Sequence, residues 1–361
     1  MLEVADIVGL HGDEYRAKFR SQLTSVQKKA LRDIQNCRTP FFGGHVHQCD
    51  HCAQKVYCYH SCRNRSCPKC HRDQTERWIG KQRQRLLPCS YYLMTFTLPA
   101  GLRAVARSHP RIVYGVLMKA AADALQRLAR DPRFLGARVG ALAVLHTWTR
   151  AMLYHPHVHM LVTAGGLSAD GEHWVEPKNP KFLVPVRALS LIFRAKMCAA
   201  LQRAGLLQSV APDVWNKPWV VHCQHAGSGE KVLQYLGRYV FRIALTNNRL
   251  ERIHDGLVTF RYRDNRTQRV QHCTISGVEF LQRFLQHVLP PRCMKVRYYG
   301  LFSPHCTHPF DLARHFFACP GNAVVAHSTK SVSAATASPL CPYCRLGKLT
   351  VVDILQRIRA P

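Results

Sequence analysis

The chain reads as an α+β protein with a cysteine-rich module ahead of its main domain, and three observations carry that reading. β-rich runs alternate with helical stretches from Tyr91 onward. Residues 37–71 are crowded with cysteine, histidine, glycine and arginine, and apolar periodicity is lost there. Apolar residues still form 47% of the 361, enough for a core, which excludes a disordered basic tail.

The elements follow in order. Phe19, Leu23, Val26, Ala30, Leu31 and Ile34 predict a helix over 13–36. Residues 73–87 return to a basic helix that Pro88 ends. Tyr92, Leu93, Thr95, Phe96 and Thr97 place a strand over 91–98. A helix over about 111–128 precedes two strands, 140–148 and 153–162, expected to be neighbours. Pro185 opens a helix over 185–206, as proline at a helix start prefers. Then come a strand at 219–225, a helix at 230–245, strands at 258–263 and 269–275, a helix at 278–288 and a strand at 295–301. An Ala/Ser/Thr-rich linker over 321–339 leads to Cys341-Pro342-Tyr343-Cys344. The expected domains are an N-terminal module over 1–87, a central domain over 88–302 and a tail over 303–361.

Lysine and arginine number 51 against 21 acidic residues, a formal net charge of +30 spread from Arg16 to Arg359. Such self-repulsion is tolerated most simply for a polyanionic partner, and nucleic acid is the polyanion expected. A ribosomal-type protein would be basic too, but shorter and poorer in core. The first ten residues contain Glu3 and Asp6 and do not read as a signal peptide, and no run of eighteen apolar residues predicts a membrane span. Sixteen cysteines, many in or near CxxC pairs, read as zinc ligands of a cytoplasmic metalloprotein.

The central segment is Tyr154-His155-Pro156-His157-Val158-His159-Met160-Leu161-Val162. Strand side chains alternate, so His157 and His159 share one face while Val158, Met160 and Val162 line the other. Two imidazoles on a rigid strand are half a site for a divalent cation. Taken alone, a His-x-His pair more often packs or hydrogen-bonds. The second element is Tyr235-Leu236-Gly237-Arg238-Tyr239, where helical spacing places two phenols on one face. Two amphipathic tyrosines commonly line a core. Beside a metal-polarised phosphate, however, a phenol can attack phosphorus. Arg238 and Arg242 on the same stretch would hold a DNA backbone.

With both elements in view, the chain resembles the two-tyrosine HUH transposases of the insertion-sequence 91 family. The likeness runs nearly end to end. It includes Ala5-Asp6-Ile7 with His11-Gly12, Cys37-Arg38-Thr39-Pro40 with Gly43-Gly44-His45, and Ser61-Cys62-Arg63-Asn64-Arg65 with Cys67-Pro68-Lys69-Cys70. It continues through the histidine and tyrosine motifs to Asn248-Arg249-Leu250 and Arg297-Tyr298-Tyr299-Gly300-Leu301. The resemblance implies an antiparallel sheet with the histidines on a central strand and the tyrosine helix packed across it. It implies that His157 and His159 bind Mg²⁺ or Mn²⁺, and that Tyr235 and Tyr239 are nucleophiles forming a 5′-phosphotyrosine with single-stranded DNA. It further implies movement of an insertion sequence by a rolling-circle-like route, on element ends and target DNA, in the bacterial cytoplasm at the nucleoid. The third metal ligand is left between His155, which shares the strand face, and Gln234, with His155 ranked first.

Cys49-x-x-Cys52 and Cys67-x-x-Cys70 stand fourteen residues apart, near the spacing of a zinc ribbon, and are expected to hold one Zn²⁺ together. By the resemblance, Cys37, His45 and Cys62 are additional ligands, enough for a second ion. Arg63, Arg65 and Lys69 give this module a DNA-binding reading beside a purely structural one. Cys341 and Cys344 form a further half-site that Cys306 or Cys319 would complete. Relatives usually carry glycine after this pair, where Arg345 stands here. Two rivals remain: a rolling-circle replication initiator with the same chemistry, and a non-catalytic zinc-dependent DNA-binding repressor.

Overall fold

The computed structural model describes residues 2–70, 72–179, 181–240, 243–264, 267–318 and 339–358. The side chains of Arg72, Asp73, Arg238 and Tyr239 lie outside the described residues, as do the whole of His71, Arg242, Cys319 and nearly all of the expected linker.

The chain begins with helices α1 (Val4–Lys18) and α2 (Ser25–Gln35), followed by strands β1 (Gly44–Cys49) and β2 (Lys55–Tyr59). Helix α3 (Arg72–Arg83) leads to β3 (Ser90–Thr97), α4 (Arg103–Ser108) and α5 (Pro110–Ala129). Next come β4 (Ala137–Arg138), β5 (Gly140–Trp148), β6 (Tyr154–Thr163), β7 (Gly166–Ser168) and β8 (Trp174–Val175). Helices α6 (Val186–Arg203) and α7 (Asp213–Asn216) precede β9 (Val221–Ser228) and α8 (Gly229–Val240). A meander of β10 (Leu250–His254), β11 (Leu257–Arg263) and β12 (Val270–Ser276) runs into α9 (Gly277–Leu285). The chain ends with β13 (Val296–Gly300), α10 (Thr307–Ala318) and β14 (Leu349–Leu355).

The expected α+β class holds, with differences in detail. The single helix expected over 13–36 is two helices. Thr24 stops it, because its hydroxyl accepts the Gln27 N–H (3.3 Å) while the Gln27 side-chain oxygen accepts the Thr24 N–H (3.0 Å), a capping box that starts α2 afresh. The cysteine-dense segment, which shows no apolar periodicity, nevertheless pairs as β1 and β2, whose residues range from buried to exposed.

Two compact units emerge. One gathers Asp73–Ala244 and Leu289–Ala326; the other gathers Met1–Arg72, Leu245–Val288 and His327–Pro361. The first unit is built on a five-stranded antiparallel sheet in the order β13-β5-β6-β3-β9. On one face, Tyr92, Met94, Phe96, Ala141, Ala143, Val158, Met160 and Val162 join the apolar sides of α5 and α6 in the main core. On the other, Tyr91, Leu142, Val144 and Leu161 meet Val232, Leu236 and Val240 of α8. The tyrosine helix thus lies on the sheet face toward which the odd-numbered residues of β6 point.

In the second unit α1 packs against α2 and α9. Phe260 of β11 meets Phe280 of α9 with ring centroids 6.0 Å apart. A separate sheet, in the order β14-β1-β2, pairs the end of the described chain with its early part.

Candidate functional site

Register, more than sequence proximity, builds the centre of the five-stranded sheet. β6 carries His157 and His159 on the α8 face, and β5 aligns His146 opposite His157. The ligand nitrogens of His146, His157 and His159 all lie within 4.8 Å of one another. His155 is not part of this group. Its Nδ1 stands 2.9 Å from the guanidinium of Arg103, and the histidine grouped with His157 and His159 is His146, where His155 was expected. Gln234, the other candidate, is exposed and donates to Glu230 at 2.9 Å.

Local bonds orient the rings. The His157 Nδ1–H donates to the His155 carbonyl at 2.6 Å; a carbonyl can only accept, so Nε2 keeps its lone pair. The His159 Nδ1 pairs with the Thr95 hydroxyl at 3.0 Å, across the β3–β6 ladder where Thr95 and His159 are register partners. Burial keeps all three imidazoles uncharged. It lowers His157 to about 3 and His159 to about 4, and it places His146 well below the ordinary histidine value. Three neutral imidazoles with converging lone pairs fit a divalent cation.

Helix α8 brings Tyr235 to this centre. Its ring lies 6.1 Å from that of His159, nearly perpendicular. Tyr239 and Arg238 belong to the same helix, but their side chains, like all of Arg242, fall outside the described residues. Tyr298 and Tyr299 are half-buried packing residues, the first beneath the Arg85 guanidinium at 4.7 Å.

The cysteines form two tetrads, and these divide the Cys49–Cys52 and Cys67–Cys70 pairs that were expected to share one ion. Cys37, Cys62, Cys67 and Cys70 come together, with Cys37–Cys70 and Cys62–Cys70 sulfur distances of 3.3 and 3.4 Å. Cys49 and Cys52 instead meet Cys341 and Cys344. The reason lies in the strands: Cys49 ends β1, whose partner β14 follows directly after the Cys341–Cys344 segment, while the loop after β2 carries Cys62 back to Cys37. His45 is in neither tetrad and packs its ring against His60, centroids 4.8 Å apart. Cys306 does not join the C-terminal pair, and Cys319 lies outside the described residues.

In the first tetrad, hydrogen bonds from the thiols of Cys37, Cys62 and Cys67 lower Cys70 below the ordinary thiol range. Zn²⁺ fits these four sulfurs: with Zn–S of about 2.3 Å, a tetrahedral site has sulfur–sulfur edges of about 3.8 Å. The ion would crosslink a segment with little apolar core, a structural role. Among the flanking cations, Arg63 and Arg65 are exposed, whereas Lys69 is tied to Glu3 and to the Cys37 carbonyl.

No helix among the described residues is long and apolar enough to cross a membrane. A family model described as "Transposase zinc-binding domain", of insertion-sequence 91 type, matches residues 7–98, which hold the whole first tetrad. Another, described as "Putative transposase", matches 140–309, spanning β5, β6 and α8. The chain is 37% identical, over 99% of its length and 97% of the relative's, to "Putative transposase y4qJ" of Sinorhizobium fredii. It is 29% identical, over 78% of its length and 71% of the relative's, to the "Transposase for insertion sequence element IS801" of Pseudomonas savastanoi pv. phaseolicola. The chain therefore belongs to the insertion-sequence 91 family of transposases, enzymes that cleave DNA and transfer its strands, and carries that family's zinc-binding N-terminal domain.

Proposed function

We propose that this transposase cuts and rejoins single-stranded DNA by tyrosine attack, and so moves an insertion sequence by a rolling-circle-like route. The single observation that supports this most is the placement of Tyr235 against His159 at the edge of a three-histidine cluster. His146, His157 and His159 would hold a divalent cation, which when bound supplies positive charge to a phosphate oxygen. Three imidazoles suit a transition ion such as Mn²⁺ better than Mg²⁺, which prefers oxygen ligands.

The protein's own groups would do the rest. The Tyr235 phenol oxygen bonds to phosphorus while the bond from phosphorus to the 3′ oxygen breaks. The departing oxygen leaves as a 3′ hydroxyl, taking a proton to replace the one lost by the phenol, and the 5′ phosphate stays on the tyrosine. One phosphoester replaces another, so rejoining needs no external energy source. Tyr239, one helical turn on, supplies the second cleavage that strand exchange requires. Arg103, which contacts His155 beside the cluster, would steady the phosphate backbone.

The test is a cleavage assay on single-stranded DNA carrying candidate element ends, with Mn²⁺ or Mg²⁺, resolved on denaturing gels. The parent is compared with Tyr235→Phe, Tyr239→Phe, the double variant, and His157→Ala/His159→Ala. A metal-dependent covalent protein–DNA adduct, lost in the double tyrosine and histidine variants, is expected. Tight binding without an adduct under either metal would overturn the reading in favour of a non-catalytic DNA-binding protein.

A further inference from the structure

We propose that Cys49, Cys52, Cys341 and Cys344 bind a second zinc ion, which clasps the last strand of the chain to the sheet near its beginning. The two pairs are 289 residues apart in sequence, counted from Cys52 to Cys341, yet their four sulfurs lie within 4.8 Å of one another. Cys49–Cys344 and Cys52–Cys341 are separated by 3.6 and 3.7 Å. Those values match the roughly 3.8 Å edge of a tetrahedron of thiolates at about 2.3 Å from zinc.

The two pairs are also built alike. After Cys52 the chain turns through Ala53 at φ 58°, and after Cys344 through Arg345 at φ 58°. The Ala53 N–H donates to the Cys49 carbonyl at 3.1 Å, and the Arg345 N–H donates to the Cys341 carbonyl at 2.9 Å. Neither residue is glycine, so each left-handed turn carries backbone strain. Such strain persists where the surroundings over-determine the backbone, as two sulfurs of one turn reaching a single ion would. Backbone donors point at the sulfurs from both sides: His51 N–H and Cys52 N–H to Cys49 at 3.4 and 3.5 Å, Gly347 N–H to Cys344 at 3.4 Å. Donors of this kind stabilise thiolates.

The turns interlock. Asp50 accepts the Lys348 N–H on its carboxylate at 2.8 Å, and its own N–H donates to the Lys348 carbonyl at 3.1 Å. A β-carbon at Gly347 would stand 2.3 Å from the Cys49 sulfur, so any side chain there would push the two turns apart.

Packing cannot hold this end of the chain. Residues 350–354 of β14, Val351, Val352 and Ile354 among them, are exposed, and the apolar cluster here consists of the cysteines with Leu349 and Val56. An ion replacing four thiol protons, which pass to solvent, supplies the crosslink that side-chain burial does not. The inference is independent of the tyrosine chemistry.

The test is elemental analysis of the purified full chain beside Cys341→Ser/Cys344→Ser. Two zinc ions per parent chain and one per variant chain are expected. A parent holding one, or a variant holding as many as the parent, would overturn the proposal. A second measurement needs no variant: the zinc-loaded parent is alkylated with N-ethylmaleimide and the modified cysteines are mapped by mass spectrometry. Cys341 and Cys344 should react only after a chelator strips the metal; prompt reaction in the loaded protein would overturn the clasp.

Discussion

The Tyr235 and His159 rings stand edge to face, with centroids 6.1 Å apart and planes at 88°. α8 reaches this position by seating Val232, Leu236 and Val240 on the sheet, which leaves Tyr235 at the border of that cluster. Tyr235→Phe keeps the ring and removes the oxygen proposed to attack phosphorus. Adduct formed by this tyrosine should fall by on the order of 10³-fold or more. Mn²⁺ affinity should not change. Single-turnover cleavage and a metal titration on the same preparation separate the two effects; loss of both would place Tyr235 in the support of the cluster.

The proposed third ligand offers a direct contrast. His146→Phe keeps an aromatic ring against Trp148, now 5.2 Å from His146, and deletes a nitrogen of the proposed ligand set. Mn²⁺ affinity should drop by more than the roughly 100-fold typical of outer-shell changes. His155→Ala should leave that affinity nearly unchanged, because its ring faces Arg103. Free Mn²⁺ measured by electron paramagnetic resonance reads both; equal losses would return His155 to the ligand set.

The difference between these two histidines shows what sequence could and could not tell. Along β6 the alternation of half-buried and buried residues put His157 and His159 on one face, and the α+β pattern placed every strand of the five-stranded sheet within a few residues. His146 sits in a strand buried at all nine positions, so no alternation marks its face; only the β5–β6 register reveals it. The cysteines failed for a similar reason. A spacing of fourteen residues suggested one ribbon, but which pairs meet is set by the long-range pairing of β1 with β14, invisible in local pattern. Arg345 obscured the match further: it adopts the left-handed turn that glycine usually marks.

Thr95 fixes His159 from the neighbouring strand. Thr95→Val removes the hydroxyl at nearly constant volume and frees the ring to rotate or change tautomer. Mn²⁺ affinity should weaken by about 10–100-fold. Thr95→Ser should restore most of it, an outcome that a purely steric role for Thr95 would not give.

Gly237 sets how closely α8 approaches α3. A β-carbon there would lie 2.6 and 2.7 Å from the Cδ1 and Cγ1 of Ile79. Gly237→Ala should therefore destabilise the unit by about 1–3 kcal/mol through overpacking. Ile79→Ala in the same chain should recover part of that loss, with a coupling of about 0.5–3 kcal/mol in a double-mutant cycle of urea unfolding. Additive losses would mean that the helices tolerate the extra methyl.

Arg83 and Glu230 join the same two helices through a two-pronged contact, with Arg83 Nε 2.9 and 3.0 Å from the two carboxylate oxygens. The pairing with Arg83 holds Glu230 below the ordinary glutamate value of 4.5. A depressed acid contributes stability that is fully present above the unfolded-state value and lost as pH falls through the folded one. Both side chains are more than a third exposed, so solvent limits the contribution to at most about 1 kcal/mol. Glu230→Gln should thus unfold slightly more easily than the parent at pH 7, and the gap should close as pH drops below 4.5. It should also shrink in high salt, since exposed charges are screened. Urea midpoints of the two proteins at pH 7 and pH 4, each with and without 1 M NaCl, decide the matter. A gap that ignores both variables would assign the effect to the hydrogen bond from Gln234, which the amide also disturbs.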